Sequence, residues 1–140
     1  MAIPTNIKTL LSGDVVEWAR IEYKETWDAA ASLKTICAFA NDLDNWGGGY
    51  IVIGVKENNG RPTYPLKGVS TDKLDAYQKS IYAKCKLIRP SYTPIISVER
   101  YQDKQFIVIW CPGGDSRPYS SPKTMGKDNK ERIHYIRKAS

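Results

Sequence analysis

The apolar positions of this chain change period several times, and each change marks an element. Ala19, Ile21 and Tyr23 alternate with Arg20, Glu22 and Lys24, the two-residue period of a half-buried strand over about residues 19–24. Leu33, Ile36, Cys37, Ala40 and Leu43 then recur at spacings of three and four. That places one apolar stripe on a helix from an N-cap at Asp28 to about Leu43. Gly47, Gly48 and Gly49 are expected to end this helix, since glycine enters tightly turned backbone without steric cost. Tyr50–Val55 is a short β-branched run suited to a strand buried on both faces.

Further on, Asn59-Gly60 is a turn signal, and Arg61 to Val69, with Pro62 and Pro65, reads as an irregular or edge segment. A second helix is predicted over Thr71–Leu87, capped by Ser70 or Thr71, with Leu74, Tyr77, Ile81 and Cys85 as its stripe. Ile95–Glu99 and Gln105–Cys111 form a hairpin around Tyr101–Lys104. A long polar segment, Pro112 to Lys130, leads to an alternating last strand over Glu131–Arg137. Residues 1–13 are a lead-in in which Leu10 and Leu11 can pack and Gly13 breaks any early helix. The order β-α-β-α-β-β-β predicts a single α+β domain with two main helices on a mixed sheet.

Composition changes this picture little. At 140 residues the chain has room for one core, and 41% hydrophobic with 26% charged residues is ordinary for a globular domain. No apolar run approaches the roughly 18 residues that span a bilayer, and no signal peptide opens the chain, so no membrane role and a cytoplasmic location are expected. Cys37, Cys85 and Cys111 are odd in number and scattered, which reads as buried free thiols rather than disulfides or metal ligands.

Charge changes it more. The net charge is +6, and residues 71–140 hold 14 Lys/Arg against 7 Asp/Glu, while residues 1–70 hold 7 against 8. A basic half beside a near-neutral one suits a polyanion partner, because phosphate contacts supply most non-specific nucleic-acid affinity. Lys123, Lys127, Lys130, Arg132, Arg137 and Lys138 flank the long connection and the last strand, with Tyr119 and Tyr135 interleaved. A basic arm with aromatic side chains can track a phosphate backbone and stack on bases. A loop of ordinary solubilising lysines is the other reading of the same residues.

Three other chemistries bear on these residue types. Glu17, Glu22 and Glu57, if brought together, are a carboxylate set for a hard divalent ion that activates water against a phosphodiester. Side chains five apart on a continuous strand point to opposite faces, so Glu17 and Glu22 converge only across a bend near Trp18. The glycines follow a helix and precede a strand, the reverse of the order that aims amides at a phosphate, and neither GxxxxGK[ST] nor GxGxxG occurs. ATP is therefore not expected as a ligand. His134, the one histidine, has no ligand-spaced neighbours and reads as a half-exposed strand residue.

The ordered pieces together resemble the Schlafen AlbA-like domain, a family associated with DNA binding in bacterial transcriptional-regulator-like and helicase-related proteins. They are Glu17, Glu22-Tyr23-Lys24, Ala38-Phe39-Ala40-Asn41-Asp42, Gly47-Gly48-Gly49, Ile53-Gly54-Val55, Ile88-Arg89-Pro90, Val108-Ile109-Trp110-Cys111-Pro112 and Tyr135-Ile136-Arg137-Lys138-Ala139-Ser140. The match runs from about Asp14 to Ser140. Asp42–Trp46 lengthens the joint where the family passes straight from Asn-Thr to Gly-Gly, Lys56-Glu57 replaces an acidic pair, and Ala139 replaces a glycine.

The resemblance implies an Alba-like domain over residues 14–140, either excised from the N-terminus of a longer regulator or standing alone. It implies nucleic-acid binding, with DNA as the expected partner; the basic and aromatic pattern read above supplies the contact candidates, Tyr119, Lys123, Lys127, Lys130, Arg132, Tyr135 and Arg137, with Arg20 and Lys24 extending the surface. For animal relatives it implies a Mg²⁺- or Mn²⁺-dependent ribonuclease, whose carboxylates map onto Glu17, Glu22 and, less directly, Glu57. No cofactor is expected for binding alone. A homodimer, or an oligomerisation module without nucleic acid, completes the alternatives.

Overall fold

The computed structural model describes residues 5–12, 20–126 and 131–137. Through these the chain runs α1 (Ile7–Leu11), β1 (Ile21–Lys24), α2 (Ala29–Asn41), β2 (Gly49–Ile53), β3 (Glu57–Asn58) and β4 (Arg61–Pro62). It continues with α3 (Thr71–Cys85), β5 (Ile95–Tyr101), β6 (Lys104–Cys111), β7 (Ser121–Pro122) and β8 (Arg132–Ile133). β1 and β2 are parallel, with Ile21 opposite Tyr50, and α2 supplies the crossover that a parallel pair requires. β2 and β5 both run antiparallel to β6, so the mixed sheet has the order β1-β2-β6-β5. The α+β class expected from the pattern is the class observed.

The two central strands are apolar on every residue of their middles because the sheet is covered on both faces. Ile51 and Ile53 of β2, with Ile107, Ile109 and Cys111 of β6, point to the face on which α2 and α3 pack. Tyr50, Val52, Phe106 and Val108, one residue out of phase, point to the other face. There α1 covers them with Ile7, Leu10 and Leu11, helped by Leu66. The lead-in is thus more structured than expected. Asn6 caps its one turn by accepting the Thr9 amide at 2.8 Å, and the Tyr23 hydroxyl donates to the Leu10 carbonyl at 2.7 Å.

Three sequence expectations need correction. Helix α2 ends at Asn41 rather than at the glycines or Leu43. Asp42 turns left-handed (φ 39°), and its amide closes on the Ala38 and Phe39 carbonyls. Leu43 lies past this stop and is 49% exposed. The Asp42 carboxylate then accepts the Trp46 and Gly47 amides at 2.9 and 3.0 Å, so aspartate shapes the joint. Gly47 and Gly48 do adopt turned backbone, with φ of 87° and 82°, but beyond the helix stop, and Gly48 and Gly49 also permit close approach. A Cβ on Gly48 would sit 1.8 Å from the Cys111 carbonyl oxygen, and one on Gly49 2.3 Å from the Phe39 ring. Finally, the last alternating run forms ladder pairs only at Arg132 and Ile133, opposite Pro122 and Ser121. Side chains from elsewhere hold the rest of it.

Both turn signals hold. Asn59 and Gly60, with positive φ, join β3 to β4, and Gln102 and Asp103 do the same between β5 and β6. No described helix is long and apolar enough to cross a membrane.

All three cysteines are buried and free, two of them on the α2–α3 face with the third at the end of β6. Burial raises each thiol, Cys85 to about 12 and Cys111 well above its ordinary value. The thiolate is the reacting species. A disulfide-exchange dye is therefore expected to label none of the three in native protein at neutral pH and all three after denaturation; fast native labelling would contradict this packing.

Candidate nucleic-acid interface

The C-terminal segment is tied to the end of α2 by one buried side-chain amide. Asn41, the last residue of α2 and 8% exposed, donates from Nδ2 to the Tyr119 carbonyl at 3.0 Å and the Tyr135 carbonyl at 2.8 Å. Its Oδ1 accepts the Tyr119 amide at 2.6 Å. Arg117 lies over the same helix end, donating to the Asn41 and Asp42 carbonyls at 3.3 and 3.2 Å. These bonds satisfy the carbonyls that a helix terminus leaves open.

Several predicted contact residues turn out to be fasteners. Arg137 donates to Glu22 Oε1 at 2.7 Å and to the Ile21 carbonyl at 3.2 Å, and stacks on the Phe39 ring with its guanidinium carbon 5.2 Å from the centroid. Arg132 spans to the Leu87 carbonyl at 2.6 Å and to Ser120, at 2.8 Å to the hydroxyl and 2.9 Å to the carbonyl. Arg20 donates to the Gly48 carbonyl at 3.2 Å. Lys24 lies 3.7 Å from Glu22.

The aromatic pair divides. Tyr119 is 3% exposed, packed edge-on against Tyr92, its hydroxyl taking the Ser116 amide. It has no face to offer a base, which corrects the stacking role expected of it. Tyr135 is half-buried beneath Lys34, whose ammonium lies 5.7 Å from the ring centroid. Lys123 is exposed, in an ion pair with Glu131 at 3.4 Å that solvent screens heavily. Lys127 and Lys130 lie outside the described residues, as does Glu17.

The carboxylates are already engaged. Glu22 is held by Arg137 and also accepts from the Thr35 hydroxyl at 3.0 Å, on the α2 side of β1. Glu57 is exposed and accepts the Gly60 amide at 2.9 Å, stitching the β3–β4 turn. Among the described residues, no group of three His, Cys, Asp or Glu is arranged to hold a metal ion. A hard cation would have to displace the Arg137 guanidinium from Glu22, so these two residues do not fit that role as they stand.

The cations that face solvent without an ion pair are others. Among the described residues Lys73, Lys84 and Lys86 on and after α3, and Arg100 and Lys104 in the β5–β6 hairpin, make none. Charge bias in the second half of the sequence pointed to them collectively. Their spacing did not, because a hairpin and a helix terminus meet only in three dimensions.

A mixed sheet with α2 and α3 on one face, and a C-terminal arm pinned to the end of α2, defines an α+β domain of the Alba-like kind. The family model for Schlafen, AlbA_2 matches residues 17–140, and the chain belongs to that family. Its fold is similar to the solution structure of the N-terminal domain of a candidate ATP-dependent DNA helicase, a RecG-related protein from Nitrosomonas europaea. The TM-score is 0.71 at 27% identity, over 97% of this chain and 90% of that one. The DIP2311 protein of Corynebacterium diphtheriae shares the fold at TM-score 0.53 and 14% identity, over 83% of this chain and 23% of that one. None of the curated proteins matches.

Two stability outcomes follow from the fastening. Asn41→Ala strands buried carbonyls and an amide, each worth about 1–3 kcal/mol when unsatisfied, so a loss on the order of 3 kcal/mol is expected in chemical denaturation. In a double-mutant cycle, Glu22→Gln and Arg137→Ala are expected to couple by about 1 kcal/mol, as a partly buried, charge-assisted hydrogen bond should. Independent effects would show that the arm is held some other way.

Proposed function

We propose that this domain binds nucleic acid, DNA in particular, through phosphate contacts made by lysines and arginines that the fold does not use internally. The observation that carries the reading is a group of cations without ion pairs on and just after α3 and in the β5–β6 hairpin, exposed Lys73, Lys86, Arg100 and Lys104 with half-buried Lys84, in a family member whose structural neighbour is named for DNA helicase chemistry; exposed Lys8, Lys34, Lys56 and Arg89 make no ion pair among the described residues either but lie on other elements. Lys123 joins this set because its pair with Glu131 is solvent-exposed and releases at little cost. Lys127 and Lys130 belong to the same basic run of the sequence. Arg132 and Arg137 act indirectly, by holding the arm in place.

In this reading the domain is the DNA-holding piece of a cytoplasmic, regulator-like protein, and pairing of two copies would double its footprint. Lysine suits this kind of contact, because a hydrated point charge on a flexible stem follows a phosphate backbone without demanding one geometry. Base preference is correspondingly weak.

About four to six phosphate contacts imply a slope near −4 to −5 when log affinity is plotted against log salt for duplex DNA. Fluorescence anisotropy with a labelled duplex measures this directly. A slope near zero, or no binding at low salt, would remove the proposal's basis.

A further inference from the structure

One cleft of the described molecule lies away from the C-terminal arm and is built by a glycine. Gly68 (φ 71°) brings the segment before α3 against the start of β6: a Cβ there would lie 2.9 Å from the Lys104 Cβ and 3.0 Å from the Gln105 carbonyl oxygen. The Gly68 amide donates to the Gly54 carbonyl at 2.8 Å, and the Val69 amide to the Gln105 carbonyl at 2.7 Å. The N-terminus of α3 is thereby fixed beside the tight β5–β6 turn. Between them opens a cleft of about 470 Å³, with half-buried Tyr77 in one wall.

Four cations from separate parts of the chain line it: Lys67, Lys73, Arg100 and Lys104. Two carboxylates, Glu25 and Asp103, oppose them. Glu25 is taken by Lys67 at 2.7 Å, and this bond and charge hold its carboxyl below the usual carboxylate range, with Lys56 adding to the effect. Lys73, Arg100 and Lys104 make no ion pair among the described residues. The positive end of the 15-residue helix α3 opens here too, and Ser70 at its N-cap makes no side-chain capping bond. Asp72 of the same turn is engaged by the Ser70 hydroxyl, which lowers its carboxyl.

The geometry points to this cleft as a phosphate-binding site, in which Lys73, Arg100 and Lys104 surround a phosphoryl group at the amino end of α3. It deepens the nucleic-acid reading and rests on it for the source of the phosphate, a DNA backbone rather than a small phosphate ester. Convergence is what separates it from an ordinary basic surface. Three of the four cations around one concavity form no ion pair with the two carboxylates that share it, and the excess positive charge costs self-repulsion that a bound anion relieves.

The test follows backbone amides by NMR while wild-type protein is titrated with short duplex DNA and, separately, with sodium pyrophosphate. A Lys73→Gln/Arg100→Gln/Lys104→Gln variant is compared with a Lys8→Gln/Lys79→Gln control, whose two lysines lie outside both the cleft and the proposed contact set; all five residues are exposed, and thermal melts check folding. DNA is expected to shift the amides of Gly68 to Lys73 and Asp103 to Gln105. The triple variant should lose about tenfold or more in affinity and lower the salt slope by about three, one per removed phosphate contact. The control should change less.

Shifts at these amides with pyrophosphate but not with DNA would support the cleft and give it a small-phosphate source, while the nucleic-acid reading fails. DNA binding that leaves these amides unmoved, with the triple variant equal to wild type, would overturn the cleft and spare that reading. Silence from both ligands would overturn the cleft as well. Should the triple variant unfold, the wild-type shift map and Arg100→Gln alone still decide.

Discussion

The carboxamide of Asn41 is the contact on which the second half of the molecule depends. A backbone segment without a long ladder must still satisfy its buried carbonyls and amides, and β7 and β8 supply only two ladder pairs. Asn41 supplies what is missing: two donors for the carbonyls of Tyr119 and Tyr135 and an acceptor for the Tyr119 amide. Only an amide side chain offers two donors and an acceptor from one position. Its place at the last turn of α2 aims those groups past the helix end, where Arg117 closes the remaining carbonyls.

This anchoring sorts the positive charge into two kinds. Arginines 20, 117, 132 and 137 reach main-chain carbonyls, and Arg137 adds a carboxylate and an aromatic face. A planar guanidinium with donors on several edges can serve two or three acceptors at once, so it makes a good staple. The lysines of α3 and the hairpin stay in solvent, where their charge is available to a partner. A basic sequence half is therefore a mixture of internal fastenings and external charge, and only the latter bears on binding.

The joint between α2 and β2 shows a similar division of labour. Asp42 stops the helix and organises residues 42–47 through its carboxylate, while Gly48 and Gly49 let β2 slip beneath Cys111 and Phe39. The added residues after Asn41 are accommodated outside the core, leaving Leu43 and Trp46 partly exposed without altering the sheet. Gly68 plays the corresponding part for the cleft, where both its left-handed backbone (φ 71°) and the close approach of Lys104 and Gln105 demand the missing side chain.

Local chemistry was legible in the residues alone. The two-residue period of Ile21 and Tyr23, the helical stripes of α2 and α3, the apolar runs of β2 and β6 and the Asn59-Gly60 turn each reflect neighbours only a few positions away, so pattern sufficed to place them. The ordered motifs likewise marked the family. What pattern could not reach were partners distant along the chain: Asn41 and Tyr119 are 78 residues apart, Arg137 and Glu22 115. Whether an arginine is a staple or a contact, whether Tyr119 shows its ring to solvent, and which lysines converge on one hollow depend on which segments meet in space. Composition and spacing are blind to that meeting, and the packing of the sheet between its helices decides it.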